Sequence, residues 1–86
     1  MKKHKQFKIG EYAVGGIIDV TINNNEIEIQ CLDYHSKNKV CGEIFDSNGV
    51  DSDFAISETL HEYTSSYYSE KVLDWIKQFV TFKQPW

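Results

Sequence analysis

The sequence predicts an α+β fold, and three observations carry that expectation. Apolar residues alternate with period two from Phe7 to about Phe45; they recur at helical spacing from about Phe54 to Val80; and the strand-like half precedes the helical half. The expected architecture is a three- to four-stranded antiparallel β-meander packed against a C-terminal α-helix, with a short helix before it. The chain has 86 residues, of which 41% are hydrophobic, with five Phe, five Tyr and two Trp. That is apolar material for one core and no more. We therefore expect a single domain over residues 1–86, with sheet over 7–45, helix over 54–80, and residues 1–6 as a basic, frayed tail.

Each element has its own signal. Phe7-Lys-Ile-Gly-Glu-Tyr12 suits a short first strand, and Gly15-Gly16 marks a bend or bulge before the next. Around Asn23-Asn24-Asn25, a two-residue turn at Asn24 and Asn25 places Ile22 opposite Ile27, Val20 opposite Ile29 and Ile18 opposite Cys31. Every apolar member then shares one face, and Asn is the non-glycine residue that best tolerates the left-handed backbone of such turns. Asp19, Thr21, Glu26, Glu28 and Gln30 fall on the other face, expected to be wet. Leu32 and Tyr34 break the parity, which calls for a bulge near Cys31 and Leu32. Ser36 to Lys39 supplies a turn into a strand from Val40 to Phe45. The stretch from Asp46 to Asp53 is a surface loop with Asx-type turns. Ile56, Leu60 and Tyr63 give a short helix its stripe. A hydroxyl of Ser65 or Ser66 caps a longer one, on which Tyr68, Val72, Trp75, Ile76 and Phe79 face inward.

Charge is unevenly placed. Lys2, Lys3, Lys5 and Lys8 are four of the nine basic residues, so residues 9–86 hold five Lys against thirteen acids, a balance of −8. Between Val40 and Glu70 no Lys occurs, while Glu43, Asp46, Asp51, Asp53, Glu58, Glu62 and Glu70 contribute carboxylates. There is no arginine, and the guanidinium fork is what specific readers of phosphate and guanine rely on, so direct nucleic-acid binding is not expected. Apolar runs are too short to cross a membrane, and Met1-Lys-Lys-His-Lys is not followed by the apolar stretch of a signal peptide. The chain is expected in the cytoplasm, with Cys31 and Cys41 as free thiols.

Candidate chemistry fails on spacing. From Asp46, an EF-hand count puts Val50 at the fifth position and Ser57 where the bidentate Glu belongs. Cys31, His35 and Cys41 come together as zinc ligands only if a three-residue turn over 37–39 pairs His35 with Cys41; a two-residue turn at Lys37 and Asn38 pairs Tyr34 with Cys41 instead. His61, Glu62, Thr59, Ser65 and Ser66 are explained by solvent exposure and capping. Gly15-Gly16 lacks the spacing of a phosphate cradle. No catalytic residue, no metal site and no cofactor is expected, and the chain is not expected to be an enzyme.

Two segments, Lys8-Ile-Gly-Glu-Tyr-Ala-Val-Gly-Gly-Ile-Ile18 and Ser66-Tyr-Tyr-Ser-Glu-Lys-Val-Leu-Asp-Trp-Ile76, resemble small uncharacterised proteins of bacteriophages and mobile elements in Gram-positive bacteria. The similarity covers about a third of the chain. It implies a setting in which very small acidic proteins act as stoichiometric inhibitors of host defence nucleases, anti-CRISPR proteins among them. The expected function is thus non-catalytic binding of a macromolecule, a basic nucleic-acid-binding protein, through an acidic surface of Glu43, Asp46, Asp51, Asp53, Glu58 and Glu62. Two alternatives stand beside it. One is a small regulatory or structural subunit, homodimeric through a sheet edge or through the aromatic tail Phe82-Lys-Gln-Pro-Trp86; the other is a binder of a small molecule or nucleotide.

Overall fold

A computed structural model describes residues 2–83 of the chain. Among these, four strands are followed by two helices: β1 (Lys2–Lys8), β2 (Gly16–Asn23), β3 (Glu26–Asp33), β4 (Lys39–Asp46), α1 (Ser52–Tyr63) and α2 (Ser66–Lys77), with one turn of 3-10 helix at Gly10–Tyr12. The strands form one open antiparallel sheet in the order β1-β2-β3-β4. The fold is α+β.

The β2–β3 hairpin has the register its apolar pattern requires. Ile22 lies opposite Ile27, Val20 opposite Ile29 and Ile18 opposite Cys31. Asn24 takes the left-handed conformation at the turn, with φ of 57°. This one parity defines an inner face, where Ile18, Val20, Ile22, Ile27, Ile29 and Cys31 join Ile56, Leu60 and Tyr63 of α1, Val72 and Ile76 of α2, and Phe82 in a single buried cluster. Nine of those residues are completely excluded from water. Burying an aliphatic side chain of this size contributes about 1.5–3 kcal/mol, so the cluster is the main source of stability.

Several expectations are corrected. Residues 2–6 are not a frayed tail: Lys2 to Lys8 pair with Asn23 to Ile17 across an unbroken ladder, and β1 is an edge strand of the sheet. The helices are equal, twelve residues each, so there is no short helix before a long one. Ser65 is the N-cap residue of α2, yet its hydroxyl makes no capping bond; its carbonyl instead accepts the amide and the hydroxyl of Ser69. The buried stripe of α2 is Ser69, Val72 and Ile76, rotated from the one expected. Trp75 is half-buried at the margin, where its ring meets Phe7 edge-on at 6.2 Å and Phe79 at 5.0 Å.

The bulge lies between Cys31 and Leu32 as the broken parity demanded, but it resets the following turn. Cys41 faces Cys31, and neither register considered for His35 or Tyr34 occurs. Asp33 shapes this turn by accepting the amides of His35 and Ser36 at 3.0 and 2.8 Å, while Lys37 takes a φ of 66°. Those two amides hold the Asp33 carboxyl below the usual carboxylate range. Of the aromatic tail, Phe82 is buried in the core, and Gln84, Pro85 and Trp86 lie outside the described residues.

Because Ile76 is fully buried and Tyr67 is exposed, Ile76→Ala should cost about 2–5 kcal/mol and Tyr67→Ala within about 0.5 kcal/mol of nothing. Urea unfolding midpoints of the two variants check this, and equal midpoints would remove Ile76 from the core.

Candidate functional site

The strand order decides where the charges go. β1, with its four lysines, is one edge of the sheet; β4 is the other, about 14 Å away at about 4.8 Å per strand step. Each edge has its own helix. Phe7 of β1 meets Trp75 of α2, and the groove between them is lined by Lys5, Lys8 and Lys71 with Asp74. On the β4 side, Tyr63 at the end of α1 touches Cys41 and lies near Glu43. The two edges thus differ in charge: β1 carries four lysines and no acid, whereas β4 begins with Lys39 but carries Glu43 and Asp46 and leads into the carboxylates of α1.

The six acids expected to form the working surface all lie on that second side, spread along its length. Glu43 is exposed on the helix side of β4, and Asp46 ends the strand, its carboxylate accepting the amide of Asn48 at 2.9 Å. Asp51, with φ of 58°, precedes α1, and Asp53 occupies its first turn. Glu58 and Glu62 are exposed further along α1. Glu62 borders a shallow hollow with Glu11 and Tyr12, at the opposite end of α1 from Asp51, about 18 Å along a twelve-residue helix. The acids form a wall and do not converge on a point.

Two features of this wall oppose folding. Asp46 stands directly across from Glu26, and Glu58 and Glu62 are one helical turn apart. Like charges so placed cost a few tenths of a kcal/mol each. None of the six acids has a basic partner within ion-pair distance among the described residues; the ion pair found there is His4 with Asp19.

That pair belongs to the outer face, and sequence reasoning missed it. Gln6, Asp19, Gln30 and Gly42 form one row across the sheet; His4, Thr21, Glu28 and Ile44 form the next. Asp19, expected to be wet, is only 8% exposed, and its carboxylate accepts Nε2 of Gln6 at 2.9 Å and meets Nε2 of His4 at 2.7 Å. The parity of His4 and Gln6 against Asp19 is the available signal, hidden when the first strand is taken to begin at Phe7 and residues 1–6 to be a tail. At the end of this face Gly15 and Gly16 adopt φ of 77° and 110°, and a side chain at Gly16 would collide with Tyr34. A shallow hollow of about 470 Å³ there is lined by Lys8, Gly10, Glu11, Tyr34 and His35, with no buried polar group directed at a ligand.

The zinc candidates separate. Cys31 and Cys41 face each other on the inner side as free thiols, whereas His35 stands in the exposed turn beside the Tyr34 ring. Among the described residues no three His, Cys, Asp or Glu are grouped to hold a metal ion. No family model matches the chain, and neither a curated protein nor a solved structure matches it. Among the described residues no helix is long and apolar enough to cross a membrane.

Burial, and next the neighbouring Cys41, push the Cys31 thiol up to about 12. Burial first, then Cys41, Cys31 and Glu43, push Tyr63 up to about 12 as well. Both groups are neutral when protonated, and the fold holds their protons more tightly than the unfolded chain, whose values are 9.0 and 10.0. Their contribution is complete below pH 9 and is lost as pH rises towards 12. Unfolding midpoints should therefore stay level from neutrality to about pH 9 and fall beyond it, and Tyr63→Phe should reduce the fall. A Tyr63→Phe variant with the parent's alkaline profile would exclude Tyr63 from this effect.

Proposed function

We propose that this chain is a non-catalytic binding protein whose acidic β4–α1 side receives a basic surface of a partner protein. What supports it is the uneven charge that strand order produces: six carboxylates on the β4–α1 side, where Lys39 opens β4, and four lysines with no acid in β1, with two like-charge juxtapositions retained at a cost in stability. A row of carboxylates on a rigid frame imitates the charge of a phosphate backbone, so the partner class is a protein that itself binds nucleic acid through Lys and Arg. An inhibitor of a host defence nuclease, the role implied by the resemblance to bacteriophage and mobile-element proteins, is the narrower form of this proposal. The wall extends about 18 Å along α1, so it suits an extended basic groove better than a point charge.

Reversal of Asp46, Asp51, Asp53 and Glu58 to Lys tests the proposal. All four lie outside the buried cluster, so the variant should keep the parent's circular dichroism. Proteins retained by heparin from a bacterial lysate should bind the immobilised parent, leave it when duplex DNA is added or salt is raised to about 0.5 M, and fail to bind the quadruple variant. Equal retention by parent and variant would place the interface elsewhere.

A further inference from the structure

The two sheet edges differ in more than charge. An edge strand exposes N–H and C=O groups on alternate residues, and chains guard such edges with Lys, Pro or bulges. β1 is guarded, with four lysines in seven residues. β4 is not guarded along its middle. Val40, Gly42 and Ile44 follow one another on the outer face with no charge among them, and Val40 is 52% and Ile44 60% exposed. Glu43 stands exposed on the opposite face of the same strand, toward α1.

We propose that β4 is a receptor edge for an extended segment of a partner protein whose side chains alternate apolar and basic, added as a fifth strand. It rests on the acidic side described above, which sets the partner's charge; the edge sets its conformation. In a strand, successive side chains point to opposite faces. One set of the incoming residues therefore meets the strip of Val40 and Ile44, between which Gly42 carries no side chain and is flanked by Gln30 of β3. The other set points to the helix side, at Glu43, while Asp46 closes the outer strip at the strand's last residue and Asp51 and Asp53 lie beyond its end. Main-chain hydrogen bonds supply affinity and the alternation supplies selectivity.

A second copy of this chain fits the edge less well. A copy docked through its own β4, about a twofold axis normal to the sheet, brings the two acidic walls together. On the face of the apolar strip its β1 offers Lys2, His4, Gln6 and Lys8, since Phe7 turns to the helix side.

The probe is an acetylated, amidated peptide of about eight residues alternating Val and Lys, titrated into the full chain with amide shifts recorded alongside. Binding should perturb residues 39–46, weaken at least about tenfold when Glu replaces Lys in the peptide, and weaken about as much in Val40→Lys/Ile44→Lys. Methylation of alternate backbone nitrogens in the peptide should abolish binding to the unaltered protein, a result independent of how the double variant folds. No binding at all would overturn the proposal. So would shifts confined to α1, which would leave the acidic side as a charged surface without strand addition. A dimer in sedimentation that the double variant dissolves would also overturn it, by assigning the edge to a second copy. Loss of heparin-fraction partners in the quadruple Lys variant, with the Val-Lys peptide unbound, would separate failure here from failure of the acidic reading.

Discussion

The two-residue turn at Asn24 and Asn25 is the constraint on which the rest of the molecule depends. A slip of one residue there would carry Ile18, Val20, Ile22, Ile27 and Ile29 to the other face. The helices would then have nothing to cover, since their buried residues join that one cluster. The same parity consigns Asp19, Thr21, Glu28 and Gln30 to the outer face, so the turn fixes both the core and the open side. Asn24 in the left-handed conformation makes this possible without glycine.

From that frame the charge pattern follows as topology. Four strands joined in sequence order must place the first and last at opposite edges, and the first carries lysines while the last leads into an acidic loop and helix. Separation of charge needs no special folding device. Its energetic mark is that Glu26 and Asp46 stay opposed and that Glu58 and Glu62 share a helix face, where an exchange of either for Lys would relieve the repulsion.

The central hairpin and the stripe of α1 were legible from period, whereas the stripe of α2 was legible only at Val72 and Ile76. Ile22 against Ile27 and Ile56, Leu60 and Tyr63 on one stripe were fixed by spacing and are as expected. The first strand was expected from Phe7 to Tyr12 and runs instead from Lys2 to Lys8, with Gly10–Tyr12 a 3-10 turn; Lys2, Lys3 and Lys5 look like a solvated end and are tolerated because β1 is an edge strand, which the sequence does not state. The pairing of Cys41 with Cys31 was hidden because a bulge changes parity by an amount that periodicity cannot supply, and the Asx turn at Asp33 settles it through two backbone amides. Of the candidate site, the residues were legible as a run of acids, but their arrangement as a wall depends on α1 lying beside β4, a tertiary fact. Asp19 was not legible at all, since its burial depends on His4 and Gln6 being strand residues.

Ser47 ties together parts of the chain that are far apart in sequence. Its amide donates to the carbonyl of Asn25 at 2.8 Å, its carbonyl accepts the amide of Lys83 at 3.2 Å, and its side chain is shut off from solvent. The central turn, the acidic loop and the last described residues therefore meet at one point. Closing loops of this length is slow because their entropy is lost before the contacts form, and the Lys83 tie must wait for every element from β4 to α2. A nascent chain that has exposed all four strands but not yet α2 still lacks this clasp. The acidic loop acquires its final anchorage only through Lys83, so the surface proposed to bind a partner is completed only after both helices have formed.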